Sequence, residues 1–299
     1  GGGSSSSGGA KKTVEIIIGE DDYGARMLNY EYAFAKLNEE LQAKGENVEV
    51  VAKILPSVGD DELVLQFTAG TYRDISMNSS LDLGWELDAG LIQAIDWLKD
   101  SEVYKDMPEN LWNIMTYDGH VYSAIQDMDA MPLYVQRKTL KQLGWSDADI
   151  EALPGRVEKG DFTLWDVIDL AAEAVSKGYV NYGLACDGMH NVCIQAINNM
   201  IMGFEAYDID QNKIIVDEKG IKDTYEFWKK GIESGAIPKD MASLEDVGFE
   251  MFYKGEIMFF LGGINVYKYV REASGLDEKA YEQWFYDNIQ FTLVPPGTK

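Results

Sequence analysis

Hydrophobic positions along this chain switch repeatedly between strand and helix spacing, and the switching predicts an α/β protein. Val14-Glu-Ile-Ile-Ile18 has the apolar run of a buried strand, and Tyr30, Phe34, Leu37 and Leu41 then recur at helical spacing. Val48 to Ile54 returns to strand character. A strand, a helix and a strand in this order predict parallel pairing, because parallel neighbours need a crossover that carries the chain back. The pattern continues with a helix over Asp60 to Ala69, a short strand at Asp74-Ile-Ser76 and a helix near Leu83 to Ala89. A hairpin follows at Tyr117-Asp-Gly-His-Val-Tyr122, where Asp118-Gly119 suits the tight turn.

Beyond Asp129 a second α/β set begins. Thr163, with Asp166 three residues on, reads as a helix N-cap, and Leu164, Val167, Ile168, Ala171 and Val175 form the apolar stripe behind it. Tyr182 to Cys186 reads as a strand, and Asp208 to Ile214 as a turn between short strands. The next helix is expected to bury Tyr225, Trp228 and Ile232, with Met200 and Met202 also in the core. Ile257 to Leu261 and Ile289 to Leu293 are the last strands. Residues 1–9 are only Gly and Ser, so 1–12 is expected to be a flexible linker, with structure starting near Thr13. No internal repeat is present.

Composition narrows the function. With 46% hydrophobic and 12% aromatic residues in 299, the chain can bury one large core or two ordinary ones. Its 26 Lys and Arg against 51 Asp and Glu leave a net charge of −25, which repels nucleic acid and anionic membrane surfaces. Acidity is spread along the chain and reads as solubility. Two His and two Cys leave little material for a metal site or a Cys/His nucleophile. Cys186 and Cys193 match no metal or redox spacing; both buried thiols and a disulfide remain open. The chain has neither a secretory leader pattern nor an apolar run long enough to span a membrane.

In an open α/β sheet, ligand groups gather in loops just past the strand C-termini. That rule selects Glu20-Asp-Asp-Tyr23 and Met77-Asn-Ser-Ser80, whose acids and amides can hold hydroxyls while a ring covers a sugar face. Asp21 or Asp22 could instead cap the following helix. Gln126-Asp-Met-Asp-Ala130 lies where the two sets join. In an extended strand Asp127 and Asp129 would share a face with Cα atoms roughly 6.7 Å apart, which admits a glycosidase-like carboxylate pair as well as plain hydrogen bonding. His190, in Asp187-Gly-Met-His-Asn191, could point into a cleft or simply pack. Asp208 to Asn212 imitates the start of a calcium loop, but Lys213 and Lys219 stand where Gly and Glu are required. Gly262-Gly263 lacks the spacing of a phosphate loop.

Taken together, several segments resemble the extracellular solute-binding proteins of ABC importers, in the large carbohydrate-binding class typified by maltose-binding protein. These are the opening strand and loop with Tyr30 to Leu41; Tyr122-Ser-Ala-Ile125 leading to Leu133-Tyr134; and Asp161-Phe-Thr-Leu-Trp-Asp166. Tyr182-Gly-Leu184, then Phe252-Tyr-Lys-Gly-Glu-Ile-Met258 running into Gly262-Gly263, and finally Val294-Pro-Pro-Gly297 complete the order.

The resemblance implies a two-lobed periplasmic-binding-protein-like fold of class II topology, each lobe a mixed sheet flanked by helices, with a ligand cleft at the hinge. Lobe 1 would cover 13–129, lobe 2 would cover 130–258, and 259–299 would return to lobe 1. It implies a non-enzymatic, monomeric receptor without cofactor or metal that binds a carbohydrate and delivers it to membrane permease subunits. It would work outside the cell, lipid-anchored or periplasmic; in the family, a Gly/Ser stretch follows a lipidated cysteine. A polyamine or other non-sugar solute is the alternative ligand. Carried over by position, the ligand residues are Asp22, Tyr23, Asn78, Ser79, Asp127, Asp129, Asp187, His190, Asn265 and Tyr267. The family commonly has Trp just after its Gly pair, whereas Ile264-Asn265 stand here and the first aromatic is Tyr267. Family members also continue beyond the equivalent of Pro295-Pro296, so some buried faces are expected to lack cover.

Overall fold

The computed structural model describes residues 10–20, 25–80, 82–186, 191–203, 207–208, 211, 213–240 and 247–297. The chain divides into two compact units, Gly1–Asp127 and Met128–Lys299.

Unit 1 runs through β1 (Lys12–Gly19), α1 (Ala25–Ala43), β2 (Val48–Leu55), α2 (Asp60–Thr68), β3 (Ile75–Ser76), α3 (Leu83–Asp88), α4 (Glu109–Met115), β4 (Thr116–Tyr117) and β5 (His120–Val121). Its sheet has the order β2-β1-β3, with β1 parallel to both neighbours. Both pairings within this sheet are parallel because α1 and α2 carry the chain back between strands, and the antiparallel pairing described in unit 1 is that of β4 with β5. The short β3 is extended by Asp74, whose carboxylate accepts from Ile17 N at 2.8 Å while its own N–H donates to Ile17 O at 2.9 Å. Asn38 fastens α1 to β2 by bonding Val50 N and O at 2.8 and 2.7 Å. The β4–β5 hairpin turns at Asp118 and Gly119, with φ of 47° and 80°, the twin left-handed positions that Asp-Gly accommodates. Beneath it, Leu98, Trp112, Met115 and Val121 form a small core.

Unit 2 contains β6 (Leu133–Gln136), α5 (Arg137–Gln142), α6 (Asp147–Glu151), α7 (Leu153–Glu158), α8 (Leu164–Ser176), β7 (Tyr182–Cys186) and α9 (Asn191–Met202). It continues with β8 (Tyr207–Asp208), β9 (Lys213–Ile214), α10 (Glu218–Glu233), α11 (Gly248–Tyr253), β10 (Ile257–Leu261), α12 (Val266–Ser274), α13 (Glu278–Asn288) and β11 (Ile289–Thr292). Its sheet is mixed: β10 lies between β7, parallel to it, and β6, antiparallel to it, with β11 on the outer side of β6. The expected return of 259–299 to the first lobe is corrected here. β10 is an inner strand of this sheet and β11 its edge, so backbone pairing and a continuous core hold both in unit 2.

Helix α8 starts as its sequence predicts. Thr163 N donates to Asp166 Oδ2 at 2.7 Å and Asp166 N donates back to Thr163 Oγ1 at 3.4 Å, a reciprocal cap. Leu164, Val167, Ile168 and Ala171 are buried behind it. Helix α10 corrects its expectation. Phe227 is fully buried, but Tyr225 is 72% and Ile232 36% exposed. A helix turns about 100° per residue, so Gly220, Phe227 and Gly231 share the inward face and Tyr225 falls on the opposite one. Trp228 sits at the margin, where its Nε1 donates to Asn198 Oδ1 at 2.8 Å. Cys186 and Cys193 are buried in the unit 2 core, and Cys193 Sγ contacts Leu261 O at 3.7 Å.

Candidate functional site

The C-terminal ends of β1 and β3 form a polar crest on unit 1. Glu20 immediately follows β1, and its side chain has no exposure. An isolated buried carboxylate would be costly, so its partners matter. Tyr30 Oη donates to Glu20 Oε2 at 3.1 Å and Arg26 Nη1 approaches Oε1 at 3.4 Å. The guanidinium reaches further: Nε and Nη2 donate to Asp127 Oδ2 and Oδ1 at 2.8 and 3.1 Å, a bidentate pair. Gln126 Nε2 closes the ring by donating to Tyr30 Oη at 3.3 Å. The bond to Asp127 raises the Arg26 pKa, and burial raises that of Tyr30.

Asn78 follows β3 on the same crest. Its Oδ1 accepts from Ser76 Oγ at 3.3 Å, and its Nδ2 donates to the buried carboxylate of Glu86. Burial and the neighbouring Asp82 push the Glu86 pKa up. The Met77 sulfur lies 3.9 Å from Arg26 Nη1, which places the β3 loop beside the Arg26–Asp127 pair. Ser79 is exposed at the loop's edge, its carbonyl accepting from Asp82 N at 3.0 Å.

In unit 2, Asp129 Oδ1 accepts from Ile264 N at 3.0 Å and so fastens the turn between β10 and α12. Gly263 lets the Asp129 carboxylate and Asn265 Oδ1 come close to the backbone, and a Cβ there would make both exposed side chains shift. Tyr134 Oη donates to Gly263 O at 3.2 Å, with its pKa driven up by burial and by Asp129. Asn265 is exposed at the start of α12. Tyr267 is spent on packing, its ring 4.8 Å from Tyr281 and 4.9 Å from Phe285. This first aromatic after the Gly pair therefore packs, half-buried, against the second hydrophobic cluster of unit 2.

The crest thus brings Asp127 near the Asn78 loop, while Asp129 and Asn265 meet at the β10–α12 turn. Asp22, Tyr23, Asp187 and His190 lie outside the described residues. A glycosidase acid needs a carboxyl able to carry and deliver a proton. Both Asp127 oxygens accept from Arg26, and Asp129 Oδ1 accepts from a backbone amide. Sequence reasoning missed Arg26 and Glu86, and assigned Tyr30 only to an apolar stripe. The available signal was a Glu directly after a strand, followed by Arg and Tyr at helical spacing from each other. Among the described residues no three His, Cys, Asp or Glu side chains are placed to hold a metal ion, and no helix is long and apolar enough to cross a membrane.

No protein-family profile matches the chain, and no curated protein matches it in sequence. Solved structures do match in three dimensions. The sugar-binding protein MalE from Xanthomonas citri is 15% identical with a TM-score of 0.69, over 95% of this chain and 67% of that one. Maltose-bound MalE3 of T. maritima is 16% identical with a TM-score of 0.66, over 95% of this chain and 68% of that one. The galacto-N-biose/lacto-N-biose I-binding protein of a Bifidobacterium longum ABC transporter, in complex with lacto-N-biose, is 17% identical with a TM-score of 0.63, over 95% and 65%. This chain therefore has the fold of the maltose-binding-protein-like solute-binding proteins and spans about two thirds of their length.

Proposed function

We propose that the chain is the solute-binding component of an ABC importer, which captures a neutral carbohydrate outside the membrane and passes it to permease subunits. It acts as a monomer, periplasmic or anchored at the cell surface, without cofactor or metal and without breaking bonds. The observation that carries this reading is the unit 1 crest, where Arg26, Tyr30, Asn78 and Asp127 present donors and acceptors suited to hydroxyls at the strand ends. Support comes from the fold, shared with proteins whose bound ligands are maltose and lacto-N-biose. Asn78, Ser79 and Asp127 on unit 1, and Asp129 and Asn265 on unit 2, are the proposed ligand residues, with Asp22, Tyr23, Asp187 and His190 retained as candidates.

Thermal-shift screening of maltose, lacto-N-biose, spermidine and amino acids tests the reading. A cognate sugar at about 100 times its dissociation constant adds roughly 2.7 kcal/mol of stability, and Asn78→Ala removes the shift. A shift from spermidine alone overturns it. So does steady release of reducing sugar that Asp127→Asn abolishes.

A further inference from the structure

The chain carries a net charge of −25, which draws cations such as polyamines from a distance. A neutral sugar gains nothing from that field, so a receptor for neutral sugars needs a local device that turns cations away. The unit 1 crest contains one. We propose that Arg26 is its specificity-determining residue: the guanidinium occupies the position between the Glu20 and Asp127 carboxylates that a cationic solute would otherwise take, and so restricts the crest to neutral, hydroxyl-bearing ligands.

This inference rests on the carbohydrate reading above and names what enforces it. Glu20 is wholly buried, whereas Arg26 is 24% and Asp127 56% exposed, so the pair lies at the accessible rim with a buried charge behind it. The planar fork grips Asp127 through two bonds and leans on Glu20 at 3.4 Å. An arriving amine meets carboxylates already neutralised and a like charge in its path. An arriving hydroxyl can still donate to remaining lone pairs of Asp127, because a carboxylate has about four acceptor sites. With Arg26 removed, two carboxylates face the same space and one is desolvated, which is a binding site for an ammonium group.

Isothermal titration of the whole chain with maltose and with spermidine, at low and moderate salt, tests the proposal. Wild type is expected to bind maltose and to ignore spermidine. Arg26→Gln is expected to bind spermidine at least about tenfold more tightly than wild type, the worth of one charge-assisted bond, and less tightly as salt rises. Adding Asp127→Asn to that variant removes the gain, which a merely structural role would not predict. If Arg26→Gln is too unstable to titrate alone, Arg26→Gln with Glu20→Gln removes the buried charge and its cation together, and spermidine must still raise the melting temperature of Arg26→Gln more than that of this double variant. Spermidine binding no tighter in Arg26→Gln than in wild type overturns the assignment. Failure of maltose to bind wild type, beside a spermidine gain in Arg26→Gln, instead overturns the carbohydrate reading and leaves the cation filter standing.

Discussion

Strands β1 and β10 are each flanked by strands on both sides, and the chain buries them differently. Every residue of Ile257–Leu261 is buried, whereas of Lys12–Gly19 only Ile18 and Gly19 are, with Ile16 and Ile17 half-buried. Unit 2 is therefore held by apolar burial on both faces of an inner strand. Unit 1 leans on polar fastenings: Asn38 to Val50, Asp74 to Ile17, and the chain from Arg26 through Glu20 to Tyr30. The proposed ligand crest belongs to the unit with the shallower core. Where less apolar surface holds the native state, binding energy contributes a larger share of local stability.

Equivalent truncations in the two strands test this contrast most severely. Phe259→Ala in β10 is expected to cost about 3–5 kcal/mol, while Ile17→Ala in β1 is expected to cost about 1–2 kcal/mol because that side chain is only partly withdrawn from water. Urea unfolding compares them, and equal losses would erase the difference between the units. Two glycines within the strands, Gly183 in β7 and Gly19 in β1, sharpen it. A Cβ on Gly183 would sit 2.6 Å from Ala236 O and 2.7 Å from Ala171 Cβ, neither of which can swing aside, so Gly183→Ala should cost about 2–3 kcal/mol. On Gly19 the obstacle is the Arg73 side chain, which can rotate after giving up its 2.9 Å bond to Pro56 O, at about 1 kcal/mol.

Two smaller effects follow. Thr163→Ala removes one arm of the α8 cap and should lower unit 2 stability by about 1 kcal/mol in the same assay. In unit 1, His120 Nδ1 pairs with Asp96 Oδ2 at 2.8 Å, while Asp96 Oδ1 accepts from Val121 N at 2.8 Å. Their hydrogen bond raises the His120 pKa and lowers that of Asp96. A raised histidine pKa stabilises the folded hairpin fully below the ordinary histidine value, and that contribution disappears as pH climbs through the shifted one. A depressed aspartate stabilises above its ordinary value and loses that contribution as pH falls through the shifted one. Hairpin amide protection factors, which remove the intrinsic pH dependence of exchange, should therefore be largest between the ordinary aspartate and histidine values. Asp96→Asn should return the His120 NMR titration to the ordinary range, and an unchanged midpoint would remove the pair from the account.

Much of the fold was legible because its signals are local. The strand at Val14, the parallel crossover, the Asp118-Gly119 turn and the Thr163 cap each depend on residues close in sequence. The α10 face was misjudged because Tyr225, Trp228 and Ile232 also lie at helical spacing, and only the available neighbours decide which stripe turns inward. Tyr267 carries a similar ambiguity: an aromatic after a Gly pair suits a sugar wall or a core equally well. The crest was half legible. Asn78 was singled out by its position after a strand and Asp127 by its place where the two α/β sets join, but Arg26 was not, because its partner stands 101 positions away.

The order of amino acids was enough to set the α/β class, the two successive α/β sets, the acidity and the loops where polar groups accumulate. All of these follow from short-range periodicity, from steric limits at glycine and proline, and from simple charge counts. Only tertiary structure decided that 259–297 belongs with unit 2, which face of α10 is buried, and that a guanidinium stands between Glu20 and Asp127. Those outcomes depend on distant segments competing for the same sheet edge, the same core volume or the same charge, and such competition is resolved only when the chain is packed.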